Sequence, residues 1–260
     1  MREVTMYAEE RQHAMARLVA EKRRLSVVAL AEEFRVTTET VRRDLSQLER
    51  LGLIRRVHGG AVPADTLTGI EVGIGERELT NTDLKDRIAR CALSLLPPDG
   101  STLLLDAGSS TARMAALFPQ DRPLTVFTHA VPVAARLAVL PRLHLHLLPG
   151  RVRTATQAAV GPDTVAALSR LRVDVAFLGT NAISHTHGFS TPDADEAATK
   201  QALIAAARRV VVLADSTKIG HETAVRFAET GEVDVLVTDD GAQKADRQRL
   251  ERAGIEVVIA

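Results

Sequence analysis

Apolar residues recur at helical spacing through the first fifty positions, and the period then changes. Val27, Leu30, Ala31 and Phe34 mark one short amphipathic helix, and Val41, Leu45 and Leu48 form the apolar stripe of a second. Only Arg35 to Thr37 separate them. At 3.6 residues per turn, Glu39, Arg43, Ser46 and Arg50 fall opposite the second stripe, with Thr40, Arg42 and Gln47 on its flanks. Thr38 can cap this helix, its hydroxyl accepting from a backbone N–H that otherwise lacks a partner. Met6 to Ala20 reads as a preceding support helix. Gly52 is a plausible helix stop, and Leu53 to His58 then alternates as a short strand ending at Gly59-Gly60. Two helices joined this tightly predict a helix-turn-helix, with a two-strand wing behind it.

Pro63 to Asp83 contains Gly69, Gly73 and Gly75 with weak periodicity, and reads as a linker. From Leu84 the pattern settles. Leu84, Ile88, Ala92, Leu95 and Leu96 mark a helix stopped by Pro97-Pro98-Asp99-Gly100. Short apolar runs follow at 102–105, 124–128, 143–148, 173–178, 210–213, 235–238 and 255–259. Helical segments lie between most of them, near 111–118, 131–140, 162–171, 193–207 and 243–253. Strands that are apolar throughout and flanked by helices predict an α/β domain with a mostly parallel sheet covered on both faces. The organisation is therefore a winged helix-turn-helix over 1–62, a linker over 63–83 and an α/β domain over 84–260, with no internal repeat.

The net charge of zero excludes an indiscriminate polyanion binder but hides a division. Residues 1–62 hold 12 Lys/Arg against 9 Asp/Glu, leaving the remainder net acidic by the same margin. A basic head on an acidic body fits a protein that meets nucleic acid through one end. Cys91 is the only cysteine, so an intrachain disulfide is excluded, and it reads as a small buried apolar residue. No apolar run approaches a membrane span and no signal-peptide pattern opens the chain, so a cytoplasmic protein is expected.

The head carries the more specific chemistry. Thr37, Thr38, Thr40, Arg42, Arg43 and Gln47 on the second helix can enter a DNA major groove, while Arg55, Arg56 and His58 on the wing lie along phosphates. A guanidinium fork grips phosphate or guanine O6/N7 bidentately. Asp44 reads as a partner that orients an arginine rather than a base reader. For any one of these arginines, a solvated helix face is the alternative.

In the body, four strand ends carry polar clusters. Asp106-Ala107-Gly108-Ser109-Ser110-Thr111 joins a close-approaching glycine, hydroxyl donors and a helix N-terminus, which together favour a phosphate. A simple helix cap accounts for the same residues, and the run is neither a Walker loop nor a dinucleotide fingerprint. Thr128-His129, Gly179-Thr180-Asn181 and Asp215-Ser216-Thr217-Lys218 are the others. Lys218 can neutralise a phosphate, and Asp106, Asn181 and Asp215 can bond hydroxyls. His129 reads equally as a structural histidine or a ligand contact. The remaining histidines give no three-ligand metal set, and Glu196 with Lys200, four apart on a helix, reads as a surface ion pair.

With these motifs in place, the chain resembles the DeoR/GlpR-family bacterial transcriptional regulators. The head run TTETVRRDLSQLERLGLIRRVHGGA matches that family's winged-helix signature, and LLLDAGSST, LTVFTHA, LLPGRVRTATQAAVG, AFLGTNAISHTHGFS and LADSTKIG follow in family order. The resemblance implies a sensor domain similar in fold to ribose-5-phosphate isomerase and glucosamine-6-phosphate deaminase, with phosphorylated sugars as effectors. Carried over by motif, Asp106, Gly108, Ser109, Ser110 and Thr111 form the phosphate end of the pocket, with Asn181, Gly188, Lys200, Asp215 and Lys218 as further contacts. It further implies operator DNA as partner, a homo-oligomer, no cofactor, and repression relieved by ligand. Fructose 1-phosphate is the first candidate effector. Thr128-His129-Ala130 stands where many members have Thr-Asn-Ser, and Pro149-Gly150 where they have Gly-Gly, so effector identity does not transfer. An activator of the same architecture is one rival. A sugar-phosphate isomerase or deaminase, with Asp106 or Asp215 as general base, is the other.

Overall fold

In the computed structural model, the described residues are 8–22, 25–51, 53–57, 59–63 and 73–260. The chain divides into two compact units, Met1–Ile70 and Glu71–Ala260.

The first unit contains α1 (Ala8–Lys22), β1 (Leu25–Ser26), α2 (Val27–Glu33), α3 (Thr38–Arg50), β2 (Ile54–Val57) and β3 (Gly60–Pro63). Its core is the predicted one: Leu30 from α2 and Val41, Leu45 and Leu48 from α3 close over Met15 and Val19 of α1, with Ile54 and Ala61 from the wing. The wing pairs antiparallel, and β3 lies between β1 and β2. Two details differ from the sequence reading. Thr37, not Thr38, caps α3, its hydroxyl accepting from the Thr40 N–H at 3.1 Å. The support helix runs two residues further than expected, to Lys22, while Met6 and Gly52 lie outside the described residues.

The second unit opens with α4 (Ile74–Leu79) and α5 (Thr82–Leu93). Then come β4 (Thr102–Leu105), α6 (Ser109–Ala116), β5 (Thr125–Thr128), α7 (Val131–Leu137) and β6 (His144–Leu147). A hairpin of β7 (Arg151–Arg153) and β8 (Ala158–Val160) leads to α8 (Pro162–Leu168) and β9 (Val175–Gly179). After β10 (Ala182–Ser184) and β11 (Gly188–Thr191) come α9 (Ala194–Ala206), β12 (Val210–Leu213) and β13 (Val225–Ala228). Finally, β14 (Val235–Thr238), α10 (Lys244–Arg252) and β15 (Glu256–Ile259) complete the chain.

Seven strands form one sheet in the order β15-β14-β12-β9-β4-β5-β6, and every pairing in it is parallel. Alternation along each strand serves two cores. Leu103, Leu105, Phe177, Val211 and Leu213 face α5, α6 and α7, whereas Leu104, Ala176, Leu178, Val210 and Val212 face α9 and α10. The winding runs from β4 through β5 to β6 on one side, and from β9 through β12 to β15 on the other. The direction reverses between β4 and β9, so their carboxyl ends diverge and leave a crevice.

Three expectations are corrected here. The linker expected over 63–83 contains α4 and the start of α5, which belong to the second unit. Ile74 N–H donates to the Ala155 carbonyl at 2.8 Å, and Arg113 donates to the Glu78 carbonyl at 2.8 Å. A six-residue helix carrying a glycine is too short to display a period. The run at 143–148 is an edge strand with Leu147 55% exposed, rather than a buried one. Cys91 is only partly buried, although it packs against the core. Alongside the parallel sheet, β10, β11 and β13 form a small antiparallel sheet that the apolar runs did not announce. Among the described residues, no helix is long and apolar enough to cross a membrane.

Candidate functional site

On α3 the adjacent arginines diverge, because successive residues turn by about 100°. Arg43 joins Thr37, Thr40, Gln47 and Arg50 along a groove beside α1. Arg42 lies with Thr38, Arg56, Gly59 and Gly60 along a second groove, toward the wing. Both side chains are exposed. Arg42 reaches Glu39 at 3.5 Å, and Gln47 accepts from Arg50. Asp44 lines the same groove as Arg43. It is buried, and its carboxylate accepts from Arg11 Nε and Gln12 Nε2, each at 2.8 Å, so it anchors α1 and leaves the neighbouring arginines to solvent.

Arg56 sets the wing against the helix. Its backbone N–H donates to Glu49 at 2.9 Å and its guanidinium to the Ser46 hydroxyl at 2.7 Å. Arg55 lies on β2. Its side chain, and His58 altogether, fall outside the described residues. A capped helix with arginines on two faces and a basic strand fixed beside it suits a duplex groove and its flanking phosphates.

In the second unit, a pocket lies at the carboxyl ends of β4, β9 and β12. Residues 107–110 and 179–181 line it at the crevice, with Ala214, Asp215 and Lys218 beyond β12. Gly108 precedes α6 with φ +147°, a conformation open to glycine, and with Ser109 and Ser110 it lines the pocket at the N-terminus of that helix. Asp215 caps the short 3-10 turn Ser216–Lys218, its carboxylate accepting from the Thr217 N–H at 3.2 Å, which places Lys218 at the rim.

Eight of the residues expected at an effector site line this pocket: Gly108, Ser109, Ser110, Gly179, Asn181, Lys200, Asp215 and Lys218. Five do not. Asp106 is 1% exposed and bonded on every side: to Lys200, to His129 Nε2 at 2.9 Å and to the Gly179 N–H at 2.9 Å. Thr111 is buried and donates to the Gly108 carbonyl at 2.9 Å. Thr128 donates to the Leu105 carbonyl at 2.7 Å, joining the ends of β4 and β5. His129 is fully buried, with Nδ1 at 2.7 Å from the Ala159 carbonyl. Gly188 (φ +78°) serves packing, since a Cβ there would meet the Ala228 carbonyl at 2.2 Å. Asp106, Thr111, Thr128 and His129 are thus buried in hydrogen bonds at and after the ends of β4 and β5, and Gly188 packs against Ala228.

The surface ion pair expected of Glu196 and Lys200 is buried instead. Lys200 Nζ donates to Asp106 and, at 2.9 Å, to the Gly179 carbonyl, with Glu196 at 3.8 Å. Glu196 in turn accepts from Arg153 at 2.9 Å. Burial pushes the Asp106 carboxyl up, but the Lys200 ammonium and the His129 hydrogen bond outweigh it and hold the group at about 2. The chain Arg153–Glu196–Lys200–Asp106–His129 thus ties α9 to the ends of β4, β5 and β9. It also answers the Lys200 charge internally.

Sequence reasoning missed Arg77 and Lys85 as pocket residues. Lys85 Nζ donates to the carbonyls of Arg77 at 2.6 Å and Thr80 at 2.7 Å. Burial, aided by the charges of Lys218, Arg113 and Arg77 and opposed by Asp215, lowers it to about 8. A signal existed: Lys85 sits on the buried face of α5 with Ile88, Ala89 and Ala92, where a lysine is out of place. Arg77 fell within the supposed linker. Among the described residues, no group of three or more His, Cys, Asp or Glu could hold a metal ion.

Comparison with known proteins bears on both units. Residues 11–66 match the DeoR-like helix-turn-helix domain, and residues 80–240 match the DeoR C terminal sensor domain. The chain is 36% identical to the HTH-type transcriptional regulator GlpR of Haloferax volcanii, over 97% of this chain and 98% of that protein. It is 36% identical to the uncharacterized HTH-type transcriptional regulator FruR of Bacillus subtilis, over 82% and 85% of the two chains. The glycerol-3-phosphate regulon repressor of Escherichia coli is 31% identical over 90% and 92%. Among solved structures, ribose 5 phosphate isomerase A from Neisseria gonorrhoeae covers 54% of each chain at 15% identity and a TM-score of 0.40. A likeness of that extent bears on neither chemistry nor ligand.

Proposed function

Because the chain belongs to the DeoR family of helix-turn-helix transcription regulators, we propose that it represses a sugar-utilisation operon and leaves its operator when a phosphorylated sugar fills the strand-end pocket. The observation that carries this reading is the pocket at the β4/β9 crevice. There the N-terminus of α6, with Ser109 and Ser110, faces Arg77, Lys85 and Lys218. Helix N–H groups, hydroxyls and cations together select a phosphate, while Asn181 and Asp215 remain for sugar hydroxyls.

The chain regulates transcription and is not an enzyme. Of the two general bases considered, Asp106 has its carboxylate committed to Lys200, His129 and the Gly179 N–H, and Asp215 caps the turn at Ser216–Lys218 through the Thr217 N–H. Two copies pair so that two α3 helices meet two half-sites, and ligand favours the arrangement that cannot span them. Fructose 1-phosphate is the first candidate effector.

The test is a titration of fructose 1-phosphate, fructose 6-phosphate, tagatose 6-phosphate, glucosamine 6-phosphate and glycerol 3-phosphate into the protein–operator complex, followed by fluorescence anisotropy of the DNA. Release by one member at micromolar to millimolar concentration is the expected result. Operator binding unmoved by all of them overturns the reading.

A further inference from the structure

We propose that Arg77 is the effector's anion clasp, and that α4, which carries it, is the element the bound effector draws against the sensor core. The proposal rests on the sugar-phosphate reading and names the residue and the movement through which it acts.

The Nε and Nη2 atoms of Arg77 are buried and have no hydrogen-bond partner. Buried guanidinium donors left unpaired weaken the folded state unless something completes them. Arg77 lines the pocket, beside Lys85 and Lys218. Of the acids in that pocket, Glu196 is held by Arg153 and Lys200. Asp215 accepts from Thr217 and Asn81 at Oδ1 and sets one negative charge against the cations of Arg77, Lys85 and Lys218. The surplus of positive charge calls for an anion brought from outside. A planar fork with two open N–H directions suits the oxygens of a phosphate.

The attachment of α4 gives this arginine its consequence. Ile74 is the only buried apolar residue of the helix, and Leu79 is 82% exposed. Polar bonds do most of the holding: Ile74 N–H to Ala155, Arg113 to the Glu78 carbonyl, and Lys85 Nζ to the carbonyls of Arg77 and Thr80. One ammonium thus grips the end of α4 and faces the pocket. An anion bound by Arg77 and Lys85 joins α4 and α5 to the N-terminus of α6 through a single ligand. In sequence, α4 is the first described element after the helix-turn-helix unit.

The experiment uses the full chain, with inorganic phosphate and the five sugar phosphates as probes. Calorimetry reads affinity, amide exchange reads residues 73–80, and melting temperature is recorded without ligand. A sugar phosphate that binds the wild type is expected to slow exchange across 73–80. In Arg77→Gln the affinity falls about tenfold or more and the protection disappears. Its ligand-free melting temperature stays level or rises, because unpaired buried donors have been removed, and Arg77→Lys falls between the two. Wild-type affinity and protection in Arg77→Gln overturn the proposal. So does a ligand-free melting temperature that drops in both variants, which marks a structural arginine. If no probe binds the wild type, the sugar-phosphate reading itself fails and this proposal fails with it.

Discussion

Asp106 and Lys200 form an ion pair with both side chains 1% exposed, at the point where the ends of β4 and β9 part. The same carboxylate accepts from the Gly179 N–H, so one buried pair fixes the crevice on both sides. Removing one partner strands the other charge in a dry site. Asp106→Asn and Lys200→Met should each destabilise the second unit by roughly 3–5 kcal/mol. The double variant should recover much of that loss, which a double-mutant cycle in urea unfolding measures directly.

Acid should expose the same pair. The Asp106 carboxyl is held at about 2, below its ordinary 3.8. Its contribution is therefore complete above about pH 5 and is lost as pH falls through 4 toward 2, a loss of about 2 kcal/mol. Unfolding free energies measured across that window should decline more steeply for the wild type than for Asp106→Asn.

Most of the fold could be read from the sequence because it is written in period. The stripe Val41, Leu45, Leu48 and the all-apolar runs of β4, β9 and β12 require an amphipathic helix and a doubly covered parallel sheet. The pocket's strand-end residues were readable for the same reason, since parallel sheets offer ligands those ends. Exposure was not readable. Asp106, Thr128 and His129 stand at strand ends like Ser109 and Asn181, yet they turn into buried hydrogen bonds, and only three-dimensional neighbours such as Ala159 and Gly179 decide that. Lys200 looked like half of a surface pair because its partner Asp106 lies 94 residues away. Arg77 was hidden by brevity, in a helix of six residues.

Lys85 should couple ligand binding to a proton. Its ammonium, lowered to about 8 by burial, faces Arg77, Arg113 and Lys218 against the single opposing charge of Asp215. A bound phosphate raises that value, so binding takes up a proton above pH 7.5 and affinity weakens as pH climbs from 8 to 9.5, by up to about tenfold per unit. Below pH 7 Lys85 is already charged and this linkage vanishes. Calorimetry in buffers of different ionisation enthalpy should show the uptake in wild type and not in Lys85→Met.

Arg43 is exposed on α3 beside the α1 groove. Arg43→Ala should weaken operator binding by ~1–3 kcal/mol and relax preference at one base position if the side chain reads a base. Arg42→Ala, on the other flank, should lower affinity for all sequences and flatten its salt dependence if it meets phosphate. Titrations at two salt concentrations with operator and scrambled duplexes distinguish the two.

The central claim is that a phosphate at the start of α6 releases the head from DNA. Its most direct test is operator anisotropy with the sugar phosphate that releases the wild type, repeated on the double variant Ser109→Ala, Ser110→Ala, which removes the two hydroxyls lining that position. The account predicts unchanged operator affinity without ligand and release only at concentrations about tenfold or more higher. Release of the double variant at the wild-type concentration would contradict it.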